Sequence, residues 1–97
     1  MTDETVGRVV IPTAVEERIA RTVKKRGADK FGGFTTYTAD GGWVDNDGNL
    51  VEETVEIIEF AGADETFVQS TANWVQEKSD ETAVMWSVSE QTFGFEG

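Results

Sequence analysis

Apolar residues recur along the chain with two different periods, and the switches between them outline six elements. Arg8-Val9-Val10-Ile11 is a short β-prone run, and Pro12, the sole proline, ends it because proline cannot donate to a ladder. Thr13-Ala14-Val15-Glu16 has the form of a capping box, with Thr13 as cap and Glu16 reaching back. Val15, Ile19 and Val23 then fall at i, i+4 and i+8 with Ala20 beside them, which predicts a helix with one apolar stripe running to about Arg26. Gly27 is expected to stop it.

The threonine and aromatic run at residues 34–38 predicts a second strand. Gly41-Gly42 suggests a bulge or a close backbone approach before Trp43-Val44 resume it. Asp45-Asn46-Asp47-Gly48-Asn49 is a turn by composition. Residues 50–60 return as a strand, with Val55 and Ile57 on one face and Ile58 and Phe60 on the other. Asp64 is the expected N-cap of a second helix over residues 65–78. Phe67, Val68, Thr71, Ala72 and Val75 form its buried side, with Trp74 at the margin. A last strand at about residues 83–89 alternates Val84, Trp86 and Val88 against Ala83, Met85 and Ser87. Phe93 and Phe95, two apart, share one face if the tail is extended. The order β-α-β-β-α-β with a long central hairpin predicts one α+β domain over residues 1–97. Its plan is the ferredoxin-like sandwich: a four-stranded antiparallel sheet with two helices on one face. Residues 1–6 and 96–97 are expected to be disordered.

Composition narrows the chemistry. The chain has no cysteine and no histidine. That removes a disulfide framework, a thiolate site, the usual general base at neutral pH and the commonest zinc ligand. No run of about 18 apolar residues is present, so no membrane span is expected. Met1-Thr2-Asp3-Glu4 has the wrong charge for a secretory leader, and a cytoplasmic location is the expectation.

Charge changes the picture most. Nineteen acids face eight bases, for a net charge of −11, and only four of the bases are lysines. Such a surface repels itself in dilute buffer, whereas at about 1 M salt the Debye length falls to about 3 Å. Many carboxylates with few lysines is the pattern of proteins from halophilic archaea and their viruses, and the fold is expected to loosen below roughly 0.5 M salt. The charge is also uneven. Residues 1–39 hold five acids and seven bases, net +2, and residues 40–97 hold fourteen acids and one base, net −13. Arg18, Arg21, Lys24, Lys25, Arg26 and Lys30 cluster on or just past the first helix. They fit an acidic protein surface, including that of a second copy. Phosphate affinity from a few ion pairs collapses at molar salt, which disfavours nucleic acid.

Other constellations carry less. The acidic turn lacks the D-x-D-x-D-G spacing and the flanking helices of a calcium loop. The carboxylates Asp40, Glu52, Glu53, Glu56 and Glu59 read as solvated surface rather than a paired acid site, and no metal or cofactor is expected. Lys30 with Gly32 and Gly33 is the candidate ligand-binding segment, although its glycines match neither G-x-G-x-x-G nor the P-loop. Six large aromatics (Tyr37, Trp43, Trp74, Trp86, Phe93 and Phe95) exceed what so small a core uses. With helices on one face only, Val10, Trp43 or Trp86 on the other would form a patch that monomers rarely expose, so sheet-face pairing between copies is expected. The candidate interaction surface is therefore Arg18, Arg21, Lys24 and Lys25 together with Trp43 and Trp86.

Two likenesses bear on function. Gly7-Arg8-Val9-Val10-Ile11-Pro12 followed by Glu16-Glu17-Arg18 resembles the opening of AbrB-type swapped-hairpin DNA-binding domains, which would imply nucleic-acid binding; the long second half has no counterpart there. Val10-Ile11-Pro12-Thr13, Phe31-Gly32-Gly33-Phe34-Thr35, Gly42-Trp43, the stretch from Gly48 to Glu53 and Ile57-Ile58-Glu59 together resemble a group of small haloarchaeal, bacterial and viral proteins with a ferredoxin-like or PII-like fold. That resemblance implies no assigned activity. It implies trimers, and for some relatives nucleotides held between subunits, although the long basic signalling loop is missing here. The resulting expectation is a non-enzymatic, salt-adapted, self-associating module. The alternatives are a PII-like small-molecule or nucleotide binder, and a cofactor-free enzyme relying on Tyr37, Trp43 and buried carboxylates.

Overall fold

The computed structural model describes residues 2–93 and 96. The elements are β1 (Thr2–Pro12), α1 (Glu17–Phe31), β2 (Thr35–Val44), β3 (Leu50–Ala61), α2 (Glu65–Lys78) and β4 (Trp86–Phe93). The strands form one antiparallel sheet in the order β2-β3-β1-β4, with both helices on one face, so the ferredoxin-like plan holds. No helix among the described residues is long and apolar enough to cross a membrane.

The core lies between the sheet and the helices. Val9 and Ile11 of β1 and Ile58 and Phe60 of β3 meet Ile19 and Val23 of α1 and Val68 and Val75 of α2. Asp64 caps α2 by accepting from the Phe67 N–H at 2.9 Å, and the five residues expected on its buried side are the buried ones. Phe60 and Phe67 meet edge to face at 5.6 Å, and Phe31 meets Phe67 in the same way at 4.8 Å.

Several boundaries differ from expectation, each for a local reason. Thr13 does not cap α1; its N–H and Oγ1 both donate to the Thr54 carbonyl, at 3.0 and 3.1 Å, which ties it to β3. The helix therefore starts three residues later, with Glu16 at its N-cap making no side-chain cap bond. Gly27 does not stop it either. A Cβ there would lie 2.0 Å from Phe60 Cε1, so this glycine serves close helix–sheet packing. The stop is Gly32, left-handed at φ 95°, whose N–H donates to the Ala28 carbonyl at 2.8 Å. Gly41 and Gly42 pair one to one with Glu53 and Glu52, so β2 runs without a bulge. Residues 2–6, expected to be disordered, continue β1 and pair with residues 89–93 of β4. Residues 1, 95 and 97, on which the other tail expectations fell, lie outside the described residues.

Past Pro12, which pairs with Val55, the sheet narrows to two strands. Residues 40–44 pair in the sheet with residues 50–54 alone and, beyond the Thr13 bonds to Thr54 at the base, project as an arm about 17 Å long at ~3.4 Å per residue. Asp45 closes its tip: Oδ1 accepts from the N–H groups of Asp47 and Asn49, both at 2.9 Å, while Gly48 takes φ 81°. The expected hairpin turn is thus present.

Candidate functional site

Alternation along the strands assigns each side chain a face. Gly7, Val9 and Ile11 point to the helices, so Arg8 and Val10 point to the open face; their ladder partners Glu59 and Ile57 join them. Arg8 and Glu59 face one another across the β1–β3 ladder and pair. Arg8 Nε donates to Glu59 Oε2 at 2.7 Å, and Arg8 Nη1 donates to Ser89 Oγ at 3.0 Å. The Tyr37 hydroxyl donates to the same Glu59 oxygen at 2.8 Å. Each of the four strands supplies one member. Glu59 Oε1 has no partner among the described residues.

The titration of this network points away from acid–base work. Burial alone would raise the Glu59 carboxyl, but the hydrogen bonds from Arg8 and Tyr37 and the Arg8 charge bring it below the usual range. The hydrogen bond to Glu59 raises Arg8 and raises Tyr37. A general acid or base works best with a pKa near the ambient pH, and all three groups have moved further from neutrality.

Beside the network lies a hollow of about 400 Å³. Its walls are the apolar side chains of Val6, Phe31, Phe34 and Ala61. Its polar groups are Glu59, Thr35 and Gln91, and Gly32-Gly33 form one lip. It occupies the end of the sheet opposite the arm, because Val6 pairs with Ala61 while the arm tip pairs Val44 with Leu50.

Among the residues singled out from sequence, Gly32 and Gly33 reach this hollow and Lys30 does not. The Lys30 ammonium sits over the rings of Phe67 and Phe31, at 5.4 and 5.7 Å. Trp43 is on the arm and 48% exposed. Trp86 is not on the open face: it pairs with Val9 and packs under the helices with Val84 and Val88. The basic cluster is mostly engaged at home. Arg18 binds Glu16, Arg21 binds Glu17 at 2.8 Å, and Lys25 binds Asp29 at 3.0 Å. Lys24 crosses to Glu56 of β3 at 2.9 Å. Arg26 alone of the α1 bases other than Lys30 has no ion pair among the described residues. It lines a shallow dip of about 550 Å³ with Arg21, Lys25 and Trp74.

In sequence Arg8 has no role beyond its strand and Glu59 reads as solvated surface, whereas the fold joins the two. The available signal is Arg8 itself, the one base before the helical cluster, set inside a β-prone run, with Glu59 two residues from the end of the returning strand.

No family model matches the chain, and no curated protein matches it in sequence. Solved structures do match in shape. The CutA protein of Synechococcus elongatus PCC7942 superposes with a TM-score of 0.65 at 12% identity, covering 94% of this chain and 79% of its own. The PII-like protein CutA of Nostoc sp. PCC 7120, in its apo form, gives 0.61 at 14% identity, covering 90% and 80%. At such identities the likeness is one of fold: this chain has the ferredoxin-like, PII-like fold of the CutA proteins.

Proposed function

We propose that this chain is a non-enzymatic, salt-adapted module that assembles with copies of itself through the arm and the adjoining open sheet face. The arm carries the reading. A two-stranded ribbon is marginal on its own in water, yet this one leaves Trp43, Val44 and Leu50 at 48, 65 and 67% exposure with no layer behind either face. The neighbouring open face continues the apolar surface through Tyr37, Val10 and Ile57. A second copy is the occupant because residues 40–54 carry five acids and no base, which calls for a surface whose contacts are apolar and whose charges salt can screen. The basic helix is a weaker contact than its sequence implies, since its bases already hold Glu16, Glu17, Asp29 and Glu56. A nucleotide is disfavoured, because among the described residues the hollow is lined by a carboxylate and by no base. The setting that fits is the cytoplasm of a halophile, or of the host of its virus.

Light scattering in about 2 M KCl, where screening is nearly complete, should give a multiple of the 10.7 kDa chain mass. Trp43→Ala with Leu50→Ser should shift it to the monomer while leaving the circular dichroism of the fold intact. Transfer to low salt should dissociate the wild type before it unfolds. A strictly monomeric wild type in high salt would refute the reading.

A further inference from the structure

We infer that the hollow beside Glu59 is a binding site for a small organic ammonium ion with a flat apolar body. Four observations converge on it. The volume of about 400 Å³ lies within the range of small-ligand sites. Among the described residues the only charged group in its wall is the Glu59 carboxylate, whose Oε2 accepts from Arg8 and Tyr37 while Oε1 has no partner. That carboxylate is only 23% exposed, so a cation reaching it is held at lower screening than on the surface. The Phe31 and Phe34 side chains supply an apolar bed for a flat hydrocarbon body.

Gly33 supplies an independent pointer. Its φ lies outside the left-handed region, and a Cβ placed there would meet nothing within 4 Å. Neither backbone conformation nor packing inside the chain therefore calls for a glycine. A bare backbone at the lip of a hollow lets something from outside approach closely. Gly32, by contrast, is accounted for by its φ of 95°.

The hollow shares the open sheet face with the proposed interface but lies toward the end away from the arm, and light scattering separates loss of assembly from loss of ligand. The test is calorimetric titration of the full chain in about 2 M KCl with phenethylammonium, its neutral counterpart 2-phenylethanol, and phenylacetate. Phenethylammonium is expected to bind saturably and about ten-fold or more tighter than the alcohol, with phenylacetate not binding. In Glu59→Gln the ratio of ammonium to alcohol affinity should fall to about one, which isolates the charge from any general loss of shape. In Gly33→Leu the side chain fills the lip, and ammonium affinity should drop by about ten-fold with melting temperature and light scattering unchanged. No saturable binding of phenethylammonium overturns the inference. So does equal binding of phenylacetate, or an affinity indifferent to both substitutions.

Discussion

Replacing Gly27 by alanine sets two large effects against each other at one position. In a helix interior the change is favourable by about 1 kcal/mol, from propensity alone. Here the new methyl carbon would lie 2.0, 2.3 and 2.5 Å from Cε1, Cδ1 and Cζ of Phe60, and ordinary contact begins at 3.4 Å, so the ring must retreat by 3.4 − 2.0 = 1.4 Å. It has nowhere to go. Phe60 is fully buried, with Phe67 edge-on at 5.6 Å and Phe31 tilted against it at 6.3 Å. Overpacking of this kind costs about 1–3 kcal/mol, and a rigid, enclosed ring places it at the upper end. The net expectation is a loss of about 1–2 kcal/mol, or a melting temperature lower by roughly 5–15 °C for a domain of this size. Urea and thermal unfolding followed by circular dichroism measure it, at fixed salt and chain concentration because association shifts apparent stability. Phe60→Leu opens room, so the double variant should be more stable than the sum of the single losses by about 1 kcal/mol. A melting temperature raised by Gly27→Ala, or strict additivity with Phe60→Leu, would show that the helix can lift from the sheet and that the packing argument is wrong.

Three further expectations rest on single side chains. Thr71 is fully buried in α2 and its Oγ1 has no hydrogen-bond partner among the described residues, so Thr71→Val should raise stability by about 1 kcal/mol in urea titration; a loss would mean the hydroxyl is satisfied in solution. The lowered Glu59 carboxyl contributes stability that is present above its unfolded value of about 4.3 and is lost as pH falls through the folded value. Glu59→Gln should therefore flatten the acid limb of the urea midpoint plotted against pH, and an unchanged limb would place the linkage elsewhere. The raised Tyr37 contributes in the opposite direction, fully below about pH 10 and lost as pH rises through its folded value, so Tyr37→Phe should flatten the alkaline limb.

How much of this was legible in the sequence depended on whether the deciding neighbour was near in the chain. α2 was fully readable because its cap, Asp64, and its apolar spacing lie within the helix itself. The start of α1 differs from expectation because Thr13, rather than accepting from a helix N–H as a cap would, donates to the Thr54 carbonyl 41 residues away. Gly27 looked like a stop because glycine before a loop usually is one; the ring that requires it belongs to β3. The alternation of Val84, Trp86 and Val88 was correct, but alternation fixes which residues share a face and leaves open which face meets the helices, and so Trp86 was set on the wrong one. The Arg8–Glu59–Tyr37–Ser89 network needs the register of three strand pairs at once, which no local pattern contains.

The charge split also takes on a different meaning in the fold. In sequence it sets a basic first part, net +2, against an acidic remainder, net −13, and suggests one surface meeting another. In space, two of the first part's bases reach across, and both close on β3. Lys24 takes Glu56 on the helix side, and Arg8 takes Glu59 on the open side, with side-chain exposures between 21 and 26%. These partly buried pairs lose little to screening, whereas the exposed pairs within α1, such as Arg21–Glu17 and Lys25–Asp29, are of the kind worth a few tenths of a kcal/mol. Among the acids outside these pairs, the five of residues 40–54 sit together on the arm with no base in the same stretch. Falling ionic strength therefore acts first on the arm and on whatever the arm touches, and only later on the sheet held between its two ion pairs. That order, dissociation before unfolding, is what separates a salt requirement of the assembly from a salt requirement of the fold.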